Sequence, residues 1–314
     1  MSHPFIQLAH RGKNQGWRYL VGAFLALFTF LIPGGFISFR LLLAYVQLDS
    51  DPETRLLSPS EFAPGELPVV GISPLVLYVF YNLAFPFFLL GIYWAIRYLH
   101  GRSLRTLITP FRRISWIRIA QGFSVFFGLK VIEILASYTI APEDFTLNVF
   151  RPRVFFTFLT WVMILTPLQI AAEELFCRGY LLQGIGSKLG KWAGVLLTTL
   201  LFTALHGLNP EVSSQGNAEG TLSILLYYFM VGAFLGWLTI KDRTLELALG
   251  VHAANNIATF LFVTSPNSAI PSPAIFSIGD IEASFAALFF TAILLLAFSV
   301  IVFKGLKRPV TVLE

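Results

Sequence analysis

Roughly eight stretches of this chain stay apolar over about 20 residues, the length that carries an α-helix across a hydrocarbon layer about 30 Å thick. They lie near residues 18–43, 72–98, 116–139, 154–184, 191–208, 222–240, 245–263 and 281–303. In lipid every backbone N–H and C=O must be satisfied internally, which leaves helices or a closed barrel. Barrel strands are short and alternate apolar with polar residues, and these runs do not alternate. Only 12% of the residues are charged, about half the share of a soluble domain. The expected fold is therefore all-α, a polytopic membrane protein with a bundle of about eight transmembrane helices. The single cysteine, Cys177, excludes an intramolecular disulfide, so stability must come from helix packing.

The net charge of +5 falls mainly in short segments between the apolar runs. That distribution points to membrane topology, and nucleic acid is not expected as a partner. Arg11, Lys13 and Arg18 precede the first run, and no small-residue cleavage site follows it, so it is expected to remain as a first span. Arg102, Arg105, Arg112 and Arg113, then Lys188 and Lys191, then Lys241 and Arg243, then Lys304, Lys307 and Arg308 mark every second loop. This alternation predicts both termini in the cytoplasm of a multi-pass protein of the cell membrane. Arg151 and Arg153 sit in a loop assigned outside and run against the rule. The 46–71 segment holds Asp49, Asp51, Glu53, Glu61, Glu66, Pro52, Pro59, Pro64 and Pro68 and is expected to be an irregular outer loop. The chain divides into an N-terminal transmembrane region (1–115), a core (116–265), and a C-terminal helix with a cytoplasmic tail (266–314).

Ionised side chains inside apolar spans are costly and face a partner, a cavity or the bundle interior. Glu173 and Glu174 are adjacent within the fourth run. Glu174 and Arg178 are four apart, so on a helix they stack and can pair. Glu173 lies about 100° round the helix, without a local counter-charge. Of the five histidines, only His206 and His252 fall inside predicted spans. His252 and Asn256 are four apart and share a helix face, while Asn255 points about 100° away. Glu173 and His206 lie about equally far from the short turn at 183–191 that joins their spans, which puts them at one depth. His252 is nearer its own cytoplasmic flank, and a tilted helix or sunken loop must close the gap.

The bland readings are an interfacial glutamate pair, a helix-to-helix hydrogen bond for each histidine, and packing for Asn256. Lys130 and Glu133, three apart in the third span, are expected to neutralise each other as a structural pair, and Cys177 to be a small packing residue. Taken together, a carboxylate, two imidazoles and an amide suit water activation with oxyanion stabilisation. Glu173 would be the base, His206 would orient the same water, and His252 and Asn256 would donate to a developing oxyanion. The reaction is then hydrolysis of an acyl bond, most simply a peptide bond, in or beside the membrane. The same set, Glu173, His206 and His252, can instead ligate zinc and place the water on the metal.

These residues read Glu173-Glu174-x-x-x-Arg178, Phe202-x-x-x-His206 and His252-x-x-x-Asn256, in order, on separate spans. In this the chain resembles the CAAX prenyl protease type II and bacteriocin-processing (CPBP, or Abi) intramembrane proteases. The motif core covers about 150–265, and Ser103-Leu104-Arg105 is similar to that family's cytoplasmic loop. The resemblance implies a hydrolase, glutamate-dependent or metalloprotease. Glu173 and His206 would activate water, His252 and Asn256 would form the oxyanion site, and Glu174–Arg178, with Phe202, would support them. It also implies a membrane-associated peptide or protein substrate, cut near a C-terminus or a leader. Two other classes are consistent with buried polar residues: a non-catalytic scaffold or immunity factor, and a secondary transporter. The paired repeats usual in the latter are not visible here.

Overall fold

The structure is a computed structural model that describes residues 3–58, 69–270, 272–279, 281 and 284–306. Pro59, Glu61, Pro64, Glu66 and Pro68 of the expected outer loop, and Lys307 and Arg308 of the expected tail, lie outside the described residues.

Helices α1 (Gly16–Leu48), α2 (Pro74–Leu99), α3 (Trp116–Ile140) and α4 (Pro152–Leu189) follow one another along the chain. Then come α5 (Lys191–His206), α6 (Ala218–Asp242), α7 (Glu246–Phe262) and α8 (Phe285–Val300). Six of these regions, α1 to α4, α6 and Ala287–Gly305 around α8, are long and apolar enough to cross a membrane. The two others, expected to span at 191–208 and 245–263, are helices of only 16 and 17 residues. At 1.5 Å per residue each is roughly 25 Å long. They are the two that carry the histidines. α5 stops at His206 because Gly207, Asn209 and Pro210 follow, and Pro210 already opens a separate short helix. α7 stops at Phe262 because Val263–Thr264 leaves as a strand.

The outer surface is apolar where lipid would lie. Leu20, Phe24, Phe28 and Leu31, spaced along one face of α1, are 45% to 75% exposed, a stripe suited to hydrocarbon. α1 winds as a π-turn at Phe30–Gly34, which holds Pro33 of the Pro-Gly-Gly sequence. The strands are minor. Phe145–Leu147 pairs antiparallel with Phe276–Ile278, which pairs parallel with Val263–Thr264. This small sheet ties the 140s loop to the segment after α7.

The basic segments gather at one end of the bundle. Lys13 N–H donates to His100 C=O (2.9 Å), Arg18 Nη1 to Leu99 C=O (2.7 Å), and Leu245 N–H to Ile108 C=O (2.8 Å). The N-terminal segment is part of this end: Phe5 and Leu8 are buried, and His3 Nε2 bonds Ile240 C=O at 2.8 Å. Burial lowers the pKa of His3, and also that of His100, whose two ring nitrogens meet Lys13 C=O and the Tyr180 hydroxyl.

Candidate active site

Glu173 and Glu174 sit between two irregularities in α4. Pro167 removes one backbone donor from the helix before them without breaking it, and Leu175–Leu181 winds as a π-helix directly after them. Such widened turns occur often at functional sites. The expected turn at 183–191 is instead helical to Leu189, and Gly190 alone (φ 91°) reverses the chain into α5. A positive φ there favours glycine. The reversal sets α4 and α5 antiparallel about Gly190, so Glu173 and His206 stand at corresponding heights.

The sunken loop that His252 requires is present. α6 ends in Arg243 with a left-handed φ of 63°, and α7 begins three residues later. Thr244, Leu245 and Glu246 are fully buried. Glu246 accepts from the Ser115 N–H (2.8 Å), and Asp242 accepts two bonds from Arg118 (2.8 and 3.0 Å). These contacts draw the start of α7 against α3. The two helices then cross closely at Gly122 and Gly250: a Cβ on Gly250 would stand 2.2 Å from Ile119 C=O.

Glu174 is fully buried and accepts from Arg178 Nη1 at 2.7 Å, the pairing expected from their spacing. The same carboxylate oxygen also accepts from His252 Nδ1 at 2.8 Å. That second link joins residues 78 apart and was not foreseen. A carboxylate can only accept here, so His252 carries its proton on Nδ1 and turns Nε2 toward Glu173, 3.7 Å from Oε2. Glu173 Oε1 accepts from Gln169 Nε2 at 3.1 Å. His206 Nδ1 lies 2.8 Å from Phe202 C=O, so it too is the protonated nitrogen, and Nε2 is left as an acceptor.

Phe202 lies at the centre of this arrangement. Arg178 stands 4.3 Å over its ring, and the imidazoles of His206 and His252 lie 4.1 and 6.1 Å from its centroid. The Tyr228 ring also lies against His206, tilted, at 4.5 Å, and its hydroxyl donates to Glu211. Asn209 Nδ2 reaches both Glu211 (3.0 Å) and Tyr228 (3.2 Å). This Asn209–Glu211–Tyr228 group was missed. The only sequence signal was an Asn-Pro-Glu run just past His206. Asn255 Nδ2 donates to Asn256 Oδ1 at 3.2 Å, which leaves the Asn256 amide N–H groups available as donors.

Glu173, His206, His252 and Asn256 all line one cavity of about 900 Å³. His252 is only 6% exposed, so a lipid-facing position is excluded. Zinc does not suit the site as built. Among the described residues no three His, Cys, Asp or Glu side chains gather to hold a metal ion. The expected zinc ligands Glu173, His206 and His252 form no such group, although the Nδ1 bonds of both histidines leave their Nε2 atoms open. Cys177 is buried in packing, as expected.

The fold and cavity define a multi-pass integral membrane protein with paired carboxylates and imidazoles inside its helix bundle. The sequence model of the family described as type II CAAX prenyl endopeptidase Rce1-like matches residues 153–258, a span that includes every residue of the cavity motif from Glu173 to Asn256. An uncharacterized protein, YyaK of Bacillus subtilis (strain 168), is 33% identical over 261 residues, covering 82% of this chain and 81% of that protein. The chain belongs to the Rce1-like family, a family of membrane proteases. No solved structure matches it.

Proposed function

We propose that this protein is an intramembrane endopeptidase that hydrolyses a peptide bond of a membrane-associated substrate by Glu173-dependent water activation. The observation that carries the reading is the convergence of Glu173, His206, His252 and Asn256 on one cavity large enough for an extended peptide segment. Water held between Glu173 and His206 Nε2 gives its proton to Glu173 as its oxygen attacks the carbonyl carbon. The carbonyl becomes an oxyanion, which Asn256 Nδ2–H stabilises. Neutral His252 cannot donate through Nε2, so its oxyanion role requires the imidazolium. Glu173 then returns its proton to the leaving amine, and the peptide C–N bond breaks. Glu174 and Arg178 hold His252 and Phe202 in place and do not touch substrate.

The family's description points to lipidated C-terminal peptides as the first substrates to try, and a leader-bearing peptide is the second class. The cavity sits within the bundle, so a lipid-anchored chain would reach it from the bilayer. Cytoplasmic placement of both termini in the cell membrane accompanies this reading. The test is cleavage of an S-farnesyl CAAX peptide by the purified protein in proteoliposomes, read by mass spectrometry, with and without a chelator. The expected result is endoproteolysis that a chelator leaves intact. Cleavage abolished by chelation and restored by zinc would overturn the metal-free mechanism. Absence of cleavage of lipidated and leader peptides alike would overturn the peptidase.

A further inference from the structure

Lys130 and Glu133 pair at 2.5 Å on α3, three residues apart. Both partners belong to one helix, so the pair ties no two elements together. A charged pair that joins nothing adds no tertiary packing to repay the cost of keeping it inside a membrane span. Its location supplies another role. Lys130 and Glu133 line the same cavity as Glu173 and His206, with their side chains 17% and 28% exposed. They also share a smaller adjoining cavity of about 20 Å³ with His252, Tyr227 and Asn255. Among the described residues that line the large cavity, Lys130 is the only Lys or Arg.

An ammonium has three donors. Glu133 is the partner the structure gives Lys130 among the described residues. The remaining donors face a cavity whose lining also carries the carboxylates of Asp144, Glu173 and Glu211. Those acids repel a substrate carboxylate, so Lys130, the one Lys or Arg on the wall, is where it can be held, and a charge-assisted bond strengthens where water is scarce. We propose that Lys130 is a carboxylate-binding subsite that anchors the free carboxylate of the substrate peptide and so sets which bond lies over Glu173. Glu133 holds the ammonium in place until the peptide arrives. This inference rests on the peptidase reading above. The carboxylate can come from the peptide's C-terminus or from an acidic side chain close to it.

Three S-farnesyl peptides of one sequence separate these cases: the free acid, the C-terminal carboxamide, and a carboxamide with Glu replacing Gln near its end. KM and kcat are measured for the full-length protein in proteoliposomes. Wild type is expected to show a KM for the plain carboxamide roughly tenfold to a hundredfold above that of the acid, as loss of a charged hydrogen bond predicts. Lys130→Gln is expected to erase that difference by raising KM for the acid, with kcat little changed, and Lys130→Arg to restore much of it. Recovery of the low KM by the Glu-bearing carboxamide assigns the anchor to a side chain, and no recovery assigns it to the C-terminus. Equal KM values of wild type for all three peptides overturn the proposal without any variant that must fold. Binding is read separately, from the shift in melting temperature caused by the corresponding peptides with the scissile bond reduced. No shift from acid or amide, or equal shifts from both, overturns the subsite. Unequal shifts without hydrolysis support the subsite and overturn the peptidase.

Discussion

Glu174 Oε1 receives two donors at once, Arg178 Nη1 at 2.7 Å and His252 Nδ1 at 2.8 Å. Its neighbour Glu173 has one amide donor and a face open to the cavity. Sequence spacing separated the two by naming Arg178 as partner to Glu174. It gave no sign that Glu174 also reaches His252, since nothing in a chain shows which residues 78 positions apart will meet. Glu174→Gln keeps the shape but leaves Arg178 buried short of a counter-charge. Breaking such a pair costs about 3–5 kcal/mol, so a large fall in the melting temperature in detergent is expected, and an unchanged melt would contradict the assignment. Phe202→Leu keeps an apolar side chain but removes the ring beneath Arg178 and beside His206. It should lose up to about 2 kcal/mol from the cation–π contact, and turnover per folded molecule should fall as His206 loosens. Full turnover in that variant would show that the ring does not position His206.

Helix bounds were legible because apolar runs end where Pro, Gly or charge begins, and the eight expected segments match eight helices to within a few residues. α5 and α7 fall only about two residues short of the segments expected at 191–208 and 245–263, ending where Asn209-Pro210 and the strand at Val263–Thr264 begin. The π-helix at Leu175–Leu181 left no mark in residue type. The crossing of α3 and α7 depends on Gly122 and Gly250, glycines that resemble any others in the chain. Gly250→Ala places a Cβ against the Ile119 carbonyl and the Phe123 N–H. Backbone must move, so a loss of about 1–3 kcal/mol is expected, with turnover falling as His252 shifts. Gly128→Ala, on the same α3 but meeting nothing within 4 Å, should be neutral or gain up to about 1 kcal/mol. Equal melting temperatures for the two variants would contradict the close crossing.

At the scale of the molecule, the alternating basic segments converge at one end through contacts such as Leu245 N–H to Ile108 C=O and His3 to Ile240 C=O. If that end is cytoplasmic, reporter fusions after residue 51 and after residue 108 should report opposite sides of the membrane. The same side for both would contradict the topology. The cavity motif was legible as three separated short motifs, while the groups that complete the cavity were not. Asn209 and Glu211 follow His206 in the chain, but Tyr228 joins them only because α6 packs along α5.

The central claim is that Glu173 is the base in this cavity, and Glu173→Gln tests it most directly. The substitution keeps size and a hydrogen-bonding oxygen but removes basicity. Cleavage of the S-farnesyl peptide is measured per folded molecule, with folding read from thermal melting of the purified protein. The account predicts a melt close to wild type and a rate lower by about 10²–10⁴. A folded Glu173→Gln protein that cleaves at the wild-type rate would contradict it.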